Sequence, residues 1–327
     1  MKAYWLGQTA DGTVLEEREV PTPEPAEGQL LVRVRAAGLN RGEFMSRHDL
    51  HGASGEARPA GTECAGEVVR AGAGVSGFEP GDRVMATARG SFAEYVLMPA
   101  ATAIHAPENL SWEEAACTTL VFLVVHDMLV AQGRIKPGEW VVIANASSGI
   151  GVGTILAAKA LGAKTIGTSG SAAKLERLKA LGLDVGIQTR GPDFAERVMD
   201  VTGGNGAGIA INGIGGSVFA ECVRCLAFEG RLAMVGYLDG VLEGTIDVAK
   251  LHADRLTLFG VSAVRRPPED RVAGVRAFVA DFLPLIAAGR LKPVIDRVFP
   301  FAELPAAKAY MESDAHVGKI AVSLASS

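Results

Sequence analysis

Residues 140–174, WVVIANASSGIGVGTILAAKALGAKTIGTSGSAAK, constrain this chain more than any other stretch. Val141 to Ile143 is an apolar, β-branched run that predicts a buried parallel strand. A small-residue turn from Asn145 to Gly151 follows, then a helix is expected over about 152–161 and a second strand over 164–168. Strand, glycine-rich turn, helix, strand is the unit that binds a dinucleotide. The turn lets backbone N–H groups approach a pyrophosphate, and the helix N-terminus adds its partial positive charge. Gly149, Gly151 and Gly153 alternate, which departs from the G-x-G-x-x-G spacing, so a tight strand-to-helix turn in another α/β protein is the alternative here. The second strand ends in Gly167-Thr168-Ser169-Gly170-Ser171, with Lys174 just beyond and no carboxylate. An NAD site usually carries Asp or Glu at that end to bind the ribose hydroxyls. Hydroxyls and an ammonium suit a 2′-phosphate, so NADPH is the expected cofactor.

A chain of 327 residues suggests about two domains with ample material for a core. Its net charge of −5, without a cluster of basic and aromatic residues, argues against a nucleic-acid partner. No segment approaches the roughly 20 apolar residues of a membrane span. The N-terminal MKAYWLGQTADG reads as strand and turn rather than a signal peptide. Four scattered cysteines do not make a disulfide framework, so a reducing, cytoplasmic compartment is expected. Cys222 and Cys225 form a C-x-x-C within a helical pattern; two buried helix cysteines is the favoured reading over a redox pair or half a zinc site.

Short strands punctuated by Gly and Pro fill residues 1 to about 120 and suggest an all-β, barrel-like domain. From about 121 to 262 strands and helices alternate, with candidate strands at 141–144, 164–168, 184–187, 208–211, 230–235 and 256–261, the mark of a doubly wound parallel sheet. Beyond 263 a helix (273–288), a strand (294–300), a helix (304–312) and a last strand (319–324) are expected to complete the first domain. Pro267-Pro268 reads as loop.

Taken in order, several segments resemble the medium-chain dehydrogenase/reductases, specifically their zinc-independent quinone oxidoreductase branch. They are VRVRAAGLNRGEFMSR, GTECAGEVVRAGAGVSGFEPGDRV, GSFAEYVLMPA, the nucleotide segment above, and LIAAGRLKPVIDRVFPFAELPAAKAYMESDAHVGKIAVSL. The resemblance implies a doubly wound parallel-sheet (Rossmann) nucleotide domain, residues 121–262, plus a GroES-like β-barrel catalytic domain, residues 1–120 and 263–327. Zinc-dependent relatives carry a Cys ligand where this chain has Asn40 and a His where it has Thr62. Neither replacement is a good zinc ligand, Cys64 and Cys117 fall on no ligand position, and the gap between Met85 and Glu94 lacks the structural-zinc cysteines. No metal is expected.

Within the resemblance, Asn145, Ser147, Ser148, Gly149, Ile150 and Gly151 would hold the pyrophosphate, with Ser148 standing where the family usually has glycine. Thr168, Ser169 and Lys174 fall on positions used around the 2′-phosphate, and Thr189, beside Arg190, replaces an aromatic there. Lys174 as a solvated helix residue is the alternative. Gly213, with Gly215 and Gly216, would lie along the cofactor, and Val235, Gly236 and Tyr237 match the loop over the nicotinamide. Arg265 matches an arginine near cofactor or substrate, or else pairs with Glu269 or Asp270. Asn40 would bind a carbonyl oxygen or a cofactor hydroxyl, and Glu43 takes a place often given to Asp. Met45 and His51 replace two pocket tyrosines; His51 is a candidate proton donor, or an exposed loop histidine. His126, with Asp127 on an apolar helical run, reads as a core histidine.

The implied reaction is hydride transfer from NADPH to a quinone or the β-carbon of an enone, by a homodimer acting on a small molecule. The proton would come from His51, the ribose hydroxyl or water. An enoyl-thioester reductase is the alternative enzyme, disfavoured by the missing loop tyrosine. A non-catalytic NADPH-binding sensor or structural protein is the alternative from another class.

Overall fold

The computed structural model describes residues 1–9, 12–45 and 57–324. It divides into two compact units, residues 1–121 with 266–327, and residues 122–265.

The first unit is built on a seven-stranded sheet. Strand Gln29–Gly38 is its spine, pairing antiparallel with Glu63–Ala71, with Tyr95–Pro99 and with the C-terminal strand Lys319–Ser323. Arg83–Thr87 and Ile104–His105 extend one side, and Ile295–Pro300 the other. Leu30, Val32 and Val34 alternate along the spine into a core shared with Val84, Phe92, Met98, Ile320 and Val322. The chain therefore returns more than 250 residues later to complete its first sheet. That return sets Lys319 beside the end of the spine, where Leu39 N donates to Ile320 O at 3.0 Å.

The second unit is a six-stranded, wholly parallel sheet in the order Val185–Gln188, Lys164–Ser169, Trp140–Ala144, Ala207–Asn212, Leu226–Met234, Thr257–Gly260. Val141, Val142 and Ile143 are fully buried at its centre. The chain steps outward from Trp140–Ala144 in one direction and then crosses to build the other side from Ala207–Asn212. The crevice at such a reversal, beyond the strands' carboxyl ends, is where this class of sheet takes ligands.

Three elements depart from the expected boundaries by more than one residue. The helix after the central strand is Gly149–Ala160, three residues earlier than expected, because Ser148 caps it: its Oγ accepts from Gly151 N at 3.0 Å. The segment 273–288 is two helices, Pro268–Asp281 and Leu283–Ala287. Pro268 opens the first of them from a position whose N–H has no partner in any helix. Strand Leu226–Met234 starts four residues before its expected bound, reaching back to Cys225, the C-cap of helix Phe219–Arg224. Cys222 and Cys225 are both buried, and burial pushes the Cys225 thiol up to about 12, which leaves it unreactive. His126 is buried at the end of helix Thr119–His126.

Candidate active site

In the nucleotide unit the turn after the central strand is held open by its own backbone. Asn145 takes a left-handed φ of 65°, which asparagine tolerates better than most residues. Asn145 N donates to Thr168 Oγ1 at 3.3 Å and Ala146 N to Thr168 O at 3.0 Å, so the neighbouring strand end braces the turn. Ser148 Oγ, besides capping the helix, donates to Asn145 O at 3.0 Å. A Cβ on Gly151 would stand 2.5 Å from Ala146 O and 2.6 Å from Asn145 O. The absence of a side chain there lets the first helical turn lie against the preceding loop, with Gly149 and Ile150 in the first turn, where backbone N–H groups have no partner within the helix. Gly151→Ala is expected to lower folding stability by about 1–3 kcal/mol by overpacking against backbone. Urea unfolding measures it, and an unchanged midpoint would mean that the turn widens freely.

Thr168 and Ser169 are buried at the end of the second strand, and Ser171 caps the next helix by accepting from Lys174 N at 3.4 Å. Thr189 N donates to Ser169 O at 3.0 Å. Beside it the Arg190 guanidinium covers Gly170, whose Cβ would meet Arg190 Nε at 2.4 Å. The Arg190 cation thus lies at this strand end, a placement that the sequence alone does not reveal. Across the reversal, buried Asn212 forms a tight side-chain turn: its Oδ1 accepts from Ile214 N (2.9 Å) and Gly215 N (3.0 Å), and its Nδ2 donates to Gly215 O. Val235 N donates to Asn212 O, and Asp239 N to Ile214 O, both at 2.9 Å. The glycine loop at Gly213 and the Val235-Gly236-Tyr237 loop are thereby knitted together at the carboxyl ends of adjacent strands. Arg265 lies at the end of this unit, and His51 lies outside the described residues.

In the first unit the structure assembles a buried polar cluster. A single 3-10 turn, Arg41–Phe44, begins at Asn40 and folds Glu43 back beneath it. Asn40 Nδ2 faces three acceptors: Glu63 Oε1 at 3.0 Å, Glu43 Oε1 at 3.1 Å and Thr62 Oγ1 at 3.2 Å. The Thr62 hydroxyl donates to Glu43 Oε1. Lys319 Nζ lies 2.7 Å from each of Glu63 Oε1, Asn40 Oδ1 and Leu39 O. Glu63 Oε2 accepts from Leu120 N at 3.0 Å, and Gly38 leaves the room that Glu63 occupies. Glu43, Glu63 and Lys319 are buried, while Asn40 and Thr62 are half-buried and form the accessible face.

Burial opposes the Lys319 charge, but Glu63 beside it more than offsets this and holds the ammonium above its ordinary range. Glu43 goes the other way. Burial pushes its carboxyl up to about 7, against the hydrogen bonds from Thr62 and Asn40 and the attraction of Lys319. The sequence points to Asn40, Thr62 and Glu43 but leaves Glu63 and Lys319 unmarked. The available signal is a charged residue at the head of each of two apolar strands, ECAGEVV and KIAVS.

This donor set does not fit zinc. An amide and a hydroxyl stand where thiolate and imidazole would be needed, and an ammonium already neutralises the carboxylate behind them. Burial also pushes the neighbouring Cys117 thiol up to about 12. Among the described residues no group of three or more His, Cys, Asp and Glu side chains is arranged to hold a metal ion. The cofactor side does fit a dinucleotide, through the Gly151 cradle, the helix N-terminus and the Arg190 guanidinium at the second strand end.

Comparison with known proteins agrees with this architecture. The alcohol dehydrogenase GroES-like domain family matches residues 26–108, and the zinc-binding dehydrogenase family matches residues 149–280. A phenolphthiocerol/phthiocerol polyketide synthase polypeptide of Mycobacterium tuberculosis is 31% identical over 311 residues. Those residues are 95% of this chain and 14% of that protein, so the chain corresponds to a small part of that relative. The structure of Escherichia coli quinone oxidoreductase complexed with NADPH superposes with a TM-score of 0.87 at 27% identity, covering 99% of this chain and 100% of that one. An NAD-dependent alcohol dehydrogenase superposes with a TM-score of 0.85 at 30% identity, with the same coverage. With both domains matched in order and solved relatives covered end to end, the chain belongs to the medium-chain dehydrogenase/reductase superfamily of oxidoreductases, in its quinone oxidoreductase-like branch.

Proposed function

We propose that this chain is an NADPH-dependent, zinc-free reductase that transfers hydride to a quinone or an α,β-unsaturated carbonyl. The observation that carries the reading is the Asn40–Thr62 face, backed by the buried Glu63–Lys319 pair where a metal site would otherwise lie. Bound NADPH supplies the hydride. The chain's part is to hold donor and acceptor close and to stabilise charge that develops on the acceptor oxygen. The turn Asn145, Ser147, Ser148, Gly149, Ile150 and Gly151 receives the pyrophosphate. Ser169, Lys174, Thr189 and Arg190, with Thr168 bracing the turn, surround the 2′-phosphate. Gly213, Val235, Gly236 and Tyr237 line the cofactor further along. Two amide hydrogens on Asn40 face three acceptors, so a substrate oxygen can take the place of the longest of these bonds, to Thr62. Arg265 and His51 are assigned to the substrate side from family resemblance alone. Strand Thr257–Gly260, whose outer edge pairs with no other strand among the described residues, supports pairing as a homodimer, and the free, buried cysteines support a cytoplasmic location. Among the described residues no helix is long and apolar enough to cross a membrane.

The test is NADPH oxidation with 1,4-benzoquinone, a short enone and a short enoyl thioester in parallel, with chelator throughout. NADPH-selective turnover of quinone or enone is expected. Turnover confined to the thioester would move the substrate assignment, and tight NADPH binding without any turnover would favour a sensor or structural role. Cofactor choice has its own test. Arg190→Ala removes one charge-assisted contact worth about 1.5–3 kcal/mol, so NADPH affinity should fall roughly 10- to 100-fold while NADH affinity stays constant. Equal losses for both cofactors in a binding titration would contradict the 2′-phosphate assignment.

A further inference from the structure

Nothing in the hydride-transfer account uses the Glu43 carboxyl, and its geometry is unusual. Oε1 meets both Thr62 and Asn40, whereas Oε2 is buried with no hydrogen-bond partner among the described residues. An ionised carboxylate there would bury negative charge on an oxygen that nothing solvates, which favours the neutral acid. The Thr62 hydroxyl and the Asn40 amide both touch Glu43 Oε1 and belong to the half-buried face, and of the two only the hydroxyl readily gives up a proton and takes one back.

We propose that Thr62 and Glu43 form a proton relay, in which the Thr62 hydroxyl protonates the reduced acceptor's oxygen and Glu43 restores that proton. The relay rests on the reductase reading above and deepens it by supplying the proton. As hydride forms the new C–H bond at the β-carbon of an enone, the π electrons move to the carbonyl oxygen. The Thr62 hydroxyl turns from Glu43 to the acceptor, and its O–H bond breaks as the acceptor's O–H bond forms. The Oε1–H bond of the neutral Glu43 acid, with Oε2 as its carbonyl oxygen, breaks as the Thr62 hydroxyl is remade. Nicotinamide is oxidised, the acceptor is reduced by two electrons, and the enol product relaxes to the saturated ketone. The Glu43 carboxylate left behind is attracted by Lys319 and regains its proton through the half-buried Thr62 hydroxyl, which water can reach. Among the described residues the charged groups around Glu43 are Lys319, which favours its ionisation, Glu63, which opposes it, and Arg58, whose guanidinium donates to the Glu43 carbonyl oxygen at 3.1 Å. With burial holding the carboxyl near 7, the proton is present and transferable around neutrality.

The experiment compares kcat against pH for the wild type, Glu43→Gln and Thr62→Val, with NADPH and a short enone. It is joined by an infrared titration of the carboxylic-acid carbonyl band in the NADPH-bound protein. Wild-type kcat should fall as pH rises through about 7. Both variants should lose that limb and turn over about 100-fold more slowly at pH 6, with NADPH affinity unchanged. The carbonyl band should vanish through the same range and be missing in Glu43→Gln. Variants that keep the wild-type rate and limb would overturn the relay while leaving the reductase reading intact, as would a titration showing Glu43 ionised throughout. Absence of wild-type turnover on every acceptor would remove the reductase reading and the relay together. Thr62→Val keeps the buried carboxyl in place, so the outcome does not hinge on how well Glu43→Gln folds.

Discussion

Lys319→Met should lower the free energy of unfolding by about 3–5 kcal/mol, the range seen when one partner of a buried ion pair is removed. Lys319 is buried and donates to Glu63, Asn40 and Leu39, so its loss strands the Glu63 charge and takes the ammonium from the buried Leu39 carbonyl and the half-buried Asn40 amide oxygen. The pair itself need not stabilise the fold, because desolvating both ions consumes much of their attraction. The double variant Glu63→Gln/Lys319→Met should therefore recover much of the loss, since no unpaired charge remains. Urea denaturation at pH 7 measures both proteins. A single variant within about 1 kcal/mol of wild type would show that water reaches Glu63 and that the cluster is not sealed.

The second large effect is a pH dependence of stability set by Glu43. Its carboxyl lies near 7 in the folded chain against an ordinary value of 4.5, so the folded state binds the proton more tightly than the unfolded one. Stability from this group is fully present below about pH 4.5 and is lost as pH rises toward and through 7. A displacement of that size corresponds to roughly 3–4 kcal/mol between the two limits. Glu43→Gln carries no titrating proton, so its unfolding free energy should lack this component and exceed that of the wild type at pH 8. Parallel slopes for the two proteins between pH 5 and about 7.5 would place the Glu43 carboxyl at its ordinary value.

Local pattern accounts for what is legible without the fold. Val141 to Ile143 announces a buried central strand because a run apolar on both faces has no other stable place in an α/β chain. Ser148 looks like a departure from a glycine pattern, yet its role is to cap the helix, which therefore begins three residues early. The polar cluster is legible only in part. Asn40 and Glu43 are three residues apart and share a turn, but Lys319 meets Glu63 across 256 residues of sequence. No periodicity couples positions so distant; strand pairing between Lys319–Ser323 and Gln29–Gly38 creates that proximity. Arg190 likewise reaches the end of strand Lys164–Ser169 only because Gly170 has no side chain to keep it away.

The most direct test of the central claim is isotope transfer from NADPH deuterated at C4 to a short enone, in the presence of chelator, with the product read by mass spectrometry and NMR. A zinc-free reductase predicts one deuterium at the product's β-carbon, with turnover unaffected by the chelator. Product without deuterium, or turnover that disappears with the chelator and returns with added zinc, would contradict it.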